Sequence, residues 1–364
     1  MSDLEARLLE RIRREGPITF ADFMEAALYD REGFYAKLPI GAEGDFVTSP
    51  HVSPAFGSLI ARQLAQCWEL LDRPAPFRVV EVGAGDGTLA RQVMAEAGSV
   101  PPLADALAYA AVERSPAARR AVAEAGIEAR ERLEGPAHVV LANELLDNLP
   151  FHRVRGGPEG PVEVWVGATR RGIEELEGPP SAAALAALEA VGRPLEPGEE
   201  RPVSPAALAF VDGVAGALAP GYAFLFDYGF TGGERPGDPQ AYRRHRVSGD
   251  LLADPGSRDI TAAVDLDAIA ARARAAGLQV WGPVTQREAL LGVGMRLWLQ
   301  GVRRRTQQAE EQGDLDEARR LFEARSRASI LIDETKLGGL RLLTLGSEGL
   351  PAPAAALGDS QTGC

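Results

Sequence analysis

The apolar positions of this chain change their spacing along its length, and each change marks an element. In "MSDLEARLLERIRREG" leucines and isoleucines recur at helical intervals among acids and bases, which predicts a charged amphipathic helix. "PITFADFMEAALYDREGFYAK" reads as a Pro-started helix followed by an aromatic turn. A Gly-rich loop and "TSP" then lead into a helix carrying Phe56, Leu59, Ile60 and Leu64 on one face. Beyond it the period changes. Continuous apolar runs bounded by turn residues, at 78–82, 108–113, 137–143 and 223–227, have the pattern of strands buried on both faces. Helical stretches such as "TLARQVMAEAG" and "SPAARRAVAEAG" separate the first three. The alternation predicts an α/β fold with a doubly wound, Rossmann-like sheet.

The remaining pattern divides the chain into five parts. Residues 1–75 form an N-terminal helical and lid segment, and 76–150 the first half of the core. Residues 151–205 read as a small inserted α+β region, with two or three antiparallel strands and the helix "SAAALAALEAVG". Residues 206–346 complete the core, with strands expected at 278–284 and 340–346 and a single charged surface helix over "VRRRTQQAEEQGDLDEARRLFEARSRA". The tail, 347–364, has the composition of a disordered segment.

Charge and cysteine usage narrow the partners. A formal net charge of −13 argues against nucleic acid and against an anionic membrane surface. Two cysteines, Cys67 and Cys364, offer neither a disulfide framework nor metal-ligand spacing, so no metal and a reducing cytoplasm are expected. No run has the length of a membrane span, and the acid-bearing start resembles neither a signal nor a transit peptide.

The chemistry concentrates at "RVVEVGAGDG", where a strand breaks into alternating glycines. Such a turn leaves backbone amides open to a ligand beyond the strand ends. Gly83 and Gly85 fit a dinucleotide fingerprint, but its sixth place is Thr88 and the next glycine is Gly87. Glu81 stands before the glycines, where a pyrophosphate would be repelled and a cation favoured. The acid closing the second strand, Glu113, also lies further on than a nicotinamide site requires. These departures point to S-adenosylmethionine, a sulfonium cation without phosphates, with Glu113 accepting from both ribose hydroxyls. "LANELLDNLP" places Asn143 and Glu144 at a strand's carboxyl end, with Asp147 three residues on. A helical segment would put both carboxylates on one face, and a pair capping a helix N-terminus is the alternative. "GDFVTSP" sets Asp45, Thr48, Ser49 and Pro50 on a loop, read either as an ordinary turn or as a lid closing over the cofactor's methionine end. The four histidines stand apart in sequence and read as packing or surface residues.

Taken in order, "GFYAK…GAEGDFVTSPHVSPAFG", "VVEVGAGDGTLA", "NELLDNLPFHRV", "LFDYG", "QAYRRHR", "DITAAVDL" and "LGGLRLLTLG" resemble the MidA-like class I methyltransferases, from about Pro17 to Gly346. That family includes the mitochondrial complex I assembly factor that dimethylates an arginine symmetrically. His51 replaces a frequent glutamate after "TSP", and "TQREALLGVGM" is looser than the family's turn. The resemblance implies an S-adenosylmethionine-dependent protein arginine methyltransferase acting on a complex I quinone-module subunit. Glu144 and Asp147 would hold the substrate guanidinium, with Asp227 in reserve. A small-molecule methyltransferase and a non-catalytic assembly factor remain as alternatives. Oligomeric state, a homodimer included, is left open.

Overall fold

Alternate residues of the apolar runs enter two different cores. Val79, Val139, Leu141, Phe224 and Leu342 pack on one side of the central sheet, and Val80, Val140, Ala142, Leu225 and Leu343 on the other. The computed structural model describes residues 2–37, 48–170, 172–232, 234–243 and 246–358. Among these, seven strands form that sheet: β1 (Phe77–Val82), β2 (Leu107–Val112), β3 (Glu128–Arg130), β4 (Ala137–Asn143), β5 (Leu218–Asp227), β6 (Gln279–Thr285) and β7 (Arg341–Gly346). Their order is β6-β7-β5-β4-β1-β2-β3. Neighbours run parallel except β7, which is antiparallel to both β5 and β6. The direction of winding reverses between β1 and β4, which opens a crevice at their carboxyl ends. The doubly wound expectation holds, with one antiparallel strand added near the edge.

At the amino end, α1 (Asp3–Glu15) begins at Ser2, whose hydroxyl accepts from Glu5 N, and buries Leu4, Leu8, Leu9 and Ile12. Gly16 at φ 92° ends it. Thr19 caps α2 (Phe20–Tyr29), which buries Phe20, Phe23, Met24, Ala27 and Leu28. The short helix α3 (Ser49–Val52) leads into α4 (Ala55–Leu70), and α5 (Thr88–Ala97) follows β1.

The inserted region falls within the expected bounds but has more strands than expected. Antiparallel strands His152–Gly157, Gly160–Thr169, Gly172–Gly178 and Glu200–Val203 form its sheet, with helix Ala182–Val191 alongside. Ile18–Thr19 adds a further strand, pairing with Trp165 and Val166. One core joins α1 and α2 to Phe151 and Val166 of the insertion and to Ala241, Leu251 and Ile260. The N-terminal segment and the insertion are therefore packed together over the carboxyl end of the sheet.

Three expectations are corrected. The edge strand β3 was not anticipated, because its three residues are polar or small. The charged helix is two helices, Met295–Glu311 and Leu315–Ile330, broken at Gly313 (φ 74°) and restarted by the Asp314 side chain accepting from Glu317 N. The tail is ordered over residues 347–358, and the rest of it lies outside the described residues. Gln66 and Gln63 on α4 accept from Ala354 N and Ala355 N, each at 2.8 Å, and cap the helix Ala354–Leu357.

The shared amino-terminal core gives a prediction. Phe20 is fully buried, with its ring centroid 5.4 Å from Phe151 and 5.9 Å from Phe23. Phe20→Ala should cost about 3–5 kcal/mol in urea unfolding, the usual range for emptying a buried phenyl position.

Candidate functional site

A cavity of about 320 Å³ lies in the crevice at the carboxyl ends of β1, β2 and β4. Glu81, Gly83, Gly85, Glu113, Asn143 and Glu144 all line it, as do Thr48, Pro50 and His51 from the segment before α4. The structure thus brings together most of the residues singled out in the sequence. Asp45 lies outside the described residues.

The glycine turn is built on left-handed backbone. Gly83, Gly85 and Gly87 have φ of 76°, 57° and 75°, and a Cβ on Gly83 would come within 2.9 Å of Leu145 Cδ1. Gly85 N donates to Glu113 Oε1 at 2.7 Å, tying the turn to the end of β2. Burial raises the Glu113 pKa against the pull of nearby backbone amides. Glu81 accepts from the Tyr109 hydroxyl at 2.8 Å, and burial pushes its pKa up to about 8. Its carboxyl forms a buried floor of the cavity.

The "TSP" segment is pinned from four directions. Ser49 N donates to Glu144 Oε1 at 3.1 Å, and Ser49 Oγ to Gln286 Oε1 at 3.0 Å. Gln92 Nε2 donates to Pro50 O at 2.8 Å. His51 spans Thr48 Oγ1 at 2.9 Å and Asp86 Oδ2 at 3.2 Å, linking the segment to the glycine turn. Although burial opposes it, His51 and Thr88 hold Asp86 down at about 2. Ser49 is buried and acts through Glu144, while Thr48 and Pro50 face the cavity.

Glu144 and Asp147 do not share a helical face. Glu144 takes a left-handed φ of 52°, and Leu146–Asn148 is a single 3₁₀ turn. Neither carboxylate accepts a bond that caps the turn. The reserve candidate, Asp227, faces the backbone instead. Its Oδ2 accepts from Leu145 N at 3.1 Å and Leu146 N at 2.6 Å, and its Oδ1 from Tyr228 N at 2.8 Å. Asp227 therefore holds the turn on which Glu144 and Asp147 stand.

A second cavity, of about 290 Å³, adjoins the first and shares Glu144 and Asn148 with it. Asp147, Asp259, Tyr228, Tyr242 and Gln240 complete most of its wall, and none of the described residues lining it is Lys or Arg. Burial pushes the Glu144 pKa up to about 7, against bonds from Ser49 N and Asn143. Burial and the neighbouring acids Asp227, Asp259 and Glu144 raise Asp147 well above the usual range. Asp147 Oδ1 and Asn143 Oδ1 are buried with no hydrogen-bond partner among the described residues. Orphaned acceptors such as Asp147 Oδ1, on a wall with no Lys or Arg among its described residues, suit an occupant that brings donors and positive charge. Among the described residues, no cluster of His, Cys, Asp or Glu could hold a metal ion.

Sequence reasoning missed Asp259, Tyr35 and Gln286 as members of the site. The stretches "DITAAVDL", "GFYAK" and "TQREALLGVGM" signalled the first, second and third, but only as stretches. "QAYRRHR" contributes Gln240 and Tyr242 to the wall; its Arg244 and His245 lie outside the described residues.

Comparison with known proteins finds one matching family, described as "Putative S-adenosyl-L-methionine-dependent methyltransferase", over residues 59–284. A Burkholderia thailandensis protein crystallised with S-adenosyl-homocysteine is 29% identical, with a TM-score of 0.84, over 97% of this chain and 94% of that one. A native structure from the same organism is 30% identical, with a TM-score of 0.81, over 97% and 93%. The mitochondrial "Protein arginine methyltransferase NDUFAF7 homolog" of Drosophila melanogaster is 29% identical over 78% of this chain and 73% of its own length. Its human counterpart is 28% identical over 80% and 73%.

The raised carboxyl pKa values fix a pH dependence. A group whose pKa rises on folding stabilises the fold at low pH, and that contribution is lost as pH climbs through the folded value. For Glu144 the window runs from its ordinary 4.5 to about 7. Gln can keep both accepted bonds without the charge. Glu144→Gln should therefore raise the melting temperature of the ligand-free protein at pH 8.5, with a much smaller gain at pH 5.5, by differential scanning fluorimetry.

Proposed function

Because the chain belongs to the MidA-like family of S-adenosyl-L-methionine-dependent methyltransferases, we propose that its substrate is a protein arginine whose guanidinium enters the acidic cavity beside Glu144. The chain is a methyltransferase and its cofactor is S-adenosyl-L-methionine. One observation carries the arginine reading: Glu144 stands on the wall common to both cavities, and the described residues lining the second include four acids, Glu144, Asp147, Asp238 and Asp259, and no Lys or Arg. The relatives named as protein arginine methyltransferases support it. On the sequence resemblance, the target is a quinone-module subunit of respiratory complex I.

The residues present fit the cofactor. Glu113 offers a carboxyl for the ribose hydroxyls, and the unpartnered Asn143 Oδ1 offers an acceptor for an ammonium or amine group. Gly83 and Gly85 let the backbone approach closely, and Thr48, Pro50 and His51 form the wall towards Glu144. When bound, the cofactor supplies an electrophilic methyl group on a sulfonium, open to in-line displacement.

This chain's task is then to place a nitrogen and manage charge. A guanidinium is always protonated and its lone pairs are delocalised, so it is a poor nucleophile. Glu144 and Asp147 hold it in a fork, which turns one nitrogen towards the first cavity and offsets the repulsion between two cations. The nitrogen gains a methyl group and loses a proton. Glu144, with its proton affinity raised into the neutral range, is placed to take that proton.

Two tests follow. Purified protein with methyl-labelled cofactor and an extract of cells lacking this gene should label arginine in a protein, located by peptide mass spectrometry. Label confined to small molecules would remove the protein-arginine reading. Glu144→Gln and Asp147→Asn should lose transfer by about 10²-fold or more while keeping cofactor affinity, as for removal of a transition-state electrostatic partner. Glu113→Ala should instead weaken cofactor binding by about 1.5–3 kcal/mol in calorimetry, the scale of a bond to a charged group.

A further inference from the structure

Two tyrosines of the amino-terminal segment have no part in the chemistry described so far. Tyr29 and Tyr35 stack with ring centroids 5.5 Å apart, and both line the cofactor cavity. Their hydroxyls, however, reach towards the other cavity. Tyr35 Oη donates to Asp259 Oδ1 at 3.0 Å, and Tyr29 Oη to Asn148 O at 3.1 Å. Asn148 Nδ2 in turn donates to the same Asp259 Oδ1 at 2.9 Å and to Ile260 O at 3.2 Å. At the opposite end, Ser115 Oγ donates to Tyr35 O at 2.9 Å, and the Arg114 guanidinium lies 4.2 Å over the Tyr29 ring. The pair thus bridges the residues just after Glu113 to a carboxyl on the wall of the second cavity.

We infer that Asp259 is a third carboxylate of the guanidinium site, that Tyr35 is the positioning residue that aims it, and that the Tyr29–Tyr35 bracket couples occupancy of the two cavities. This rests on the arginine reading and deepens it. Asp259 is only 4% exposed, so a loose carboxyl there would be costly and poorly directed. Two donors on one oxygen fix the plane of the carboxyl. A planar guanidinium recognises carboxylates through parallel bonds, and such pairing demands that the carboxylate plane be fixed beforehand. Burial, with Asp259 alongside, raises the Tyr35 phenol well above its usual range, so it remains a donor throughout the neutral range. Asp147 Oδ1, on the same wall, is buried without a donor among the described residues, so the occupant supplies the missing hydrogen bond. Tyr35 enters this scheme only through Asp259. Its ring packs against the cofactor side, and its single hydroxyl sets the carboxyl on the other.

The test uses the full chain, with S-adenosylhomocysteine, Nα-acetyl-arginine amide and Nα-acetyl-lysine amide as probes. Tyr35→Phe removes one oxygen and keeps the stack on Tyr29; Asp259→Asn keeps the shape and removes the charge. Both variants should bind S-adenosylhomocysteine within about twofold of wild type. Both should bind the arginine probe at least tenfold more weakly. In wild type, S-adenosylhomocysteine should change the arginine-probe affinity, and in Tyr35→Phe that change should shrink towards none. The double variant should be no weaker than Asp259→Asn alone, because both substitutions break one unit. A Tyr35→Phe protein with wild-type probe affinity and coupling overturns the inference, as does simple additivity in the double variant. If wild type does not prefer the arginine probe to the lysine probe, the arginine reading itself falls, and the inference with it.

Discussion

The working end of the molecule depends on one oxygen. Glu144 Oε1 accepts from Ser49 N, which arrives from the segment before α4, and from Asn143 Nδ2 at the end of β4. The bond to Ser49 fixes the wall formed by Thr48, Pro50 and His51, and with it one side of the cofactor cavity. The turn that carries Glu144 is held from below by Asp227, so two neighbouring parallel strands share the load. Its left-handed backbone stores on the order of 1–3 kcal/mol of strain, which persists because the surroundings over-determine it.

The same arrangement explains why the site is a poor place for carboxylates in the absence of ligand. Glu81, Glu113, Glu144 and Asp147 all have raised pKa values, and in each case burial is the largest cause. A fold selected for stability alone would neutralise or expose such groups. With the proposed arginine substrate, two cations meet in one crevice and reverse that balance, because each is destabilised by the other and both are stabilised by the acids. These buried carboxyls therefore trade fold stability for affinity towards charge that arrives from outside.

The parts of this architecture that the sequence displays are those with local causes. Runs such as 78–82 and 137–143 read as strands because both sheet faces are covered and most of their positions are apolar. The glycine turn was legible because positive φ leaves few alternatives to glycine. By contrast, the bond from Tyr35 to Asp259 spans 224 positions and that from Ser49 to Gln286 spans 237, so neither leaves a pattern in any window. Asp227 shows the limit differently. Its place at a strand end suggested a substrate contact, but a short acid in that position can equally satisfy backbone amides, and here it does. The ordered tail was hidden for the same reason: its caps, Gln63 and Gln66, lie on a helix almost three hundred residues earlier.

The pairing of Ile18 with Val166 also bears on how the chain is made. The first two helices leave the ribosome with Phe20, Phe23 and Met24 ready to be buried, yet their partners extend as far along the chain as Ala241 and Ile260. At roughly 5–20 residues per second, that surface waits on the order of ten to fifty seconds for its cover. Amphipathic helices alone are marginal over such an interval, and apolar faces held open invite association with other chains. This segment is thus synthesised well before most of its partners and is among the last to be secured. A nascent chain of this protein presents a sustained target for holding chaperones until the strands that complete its roof emerge.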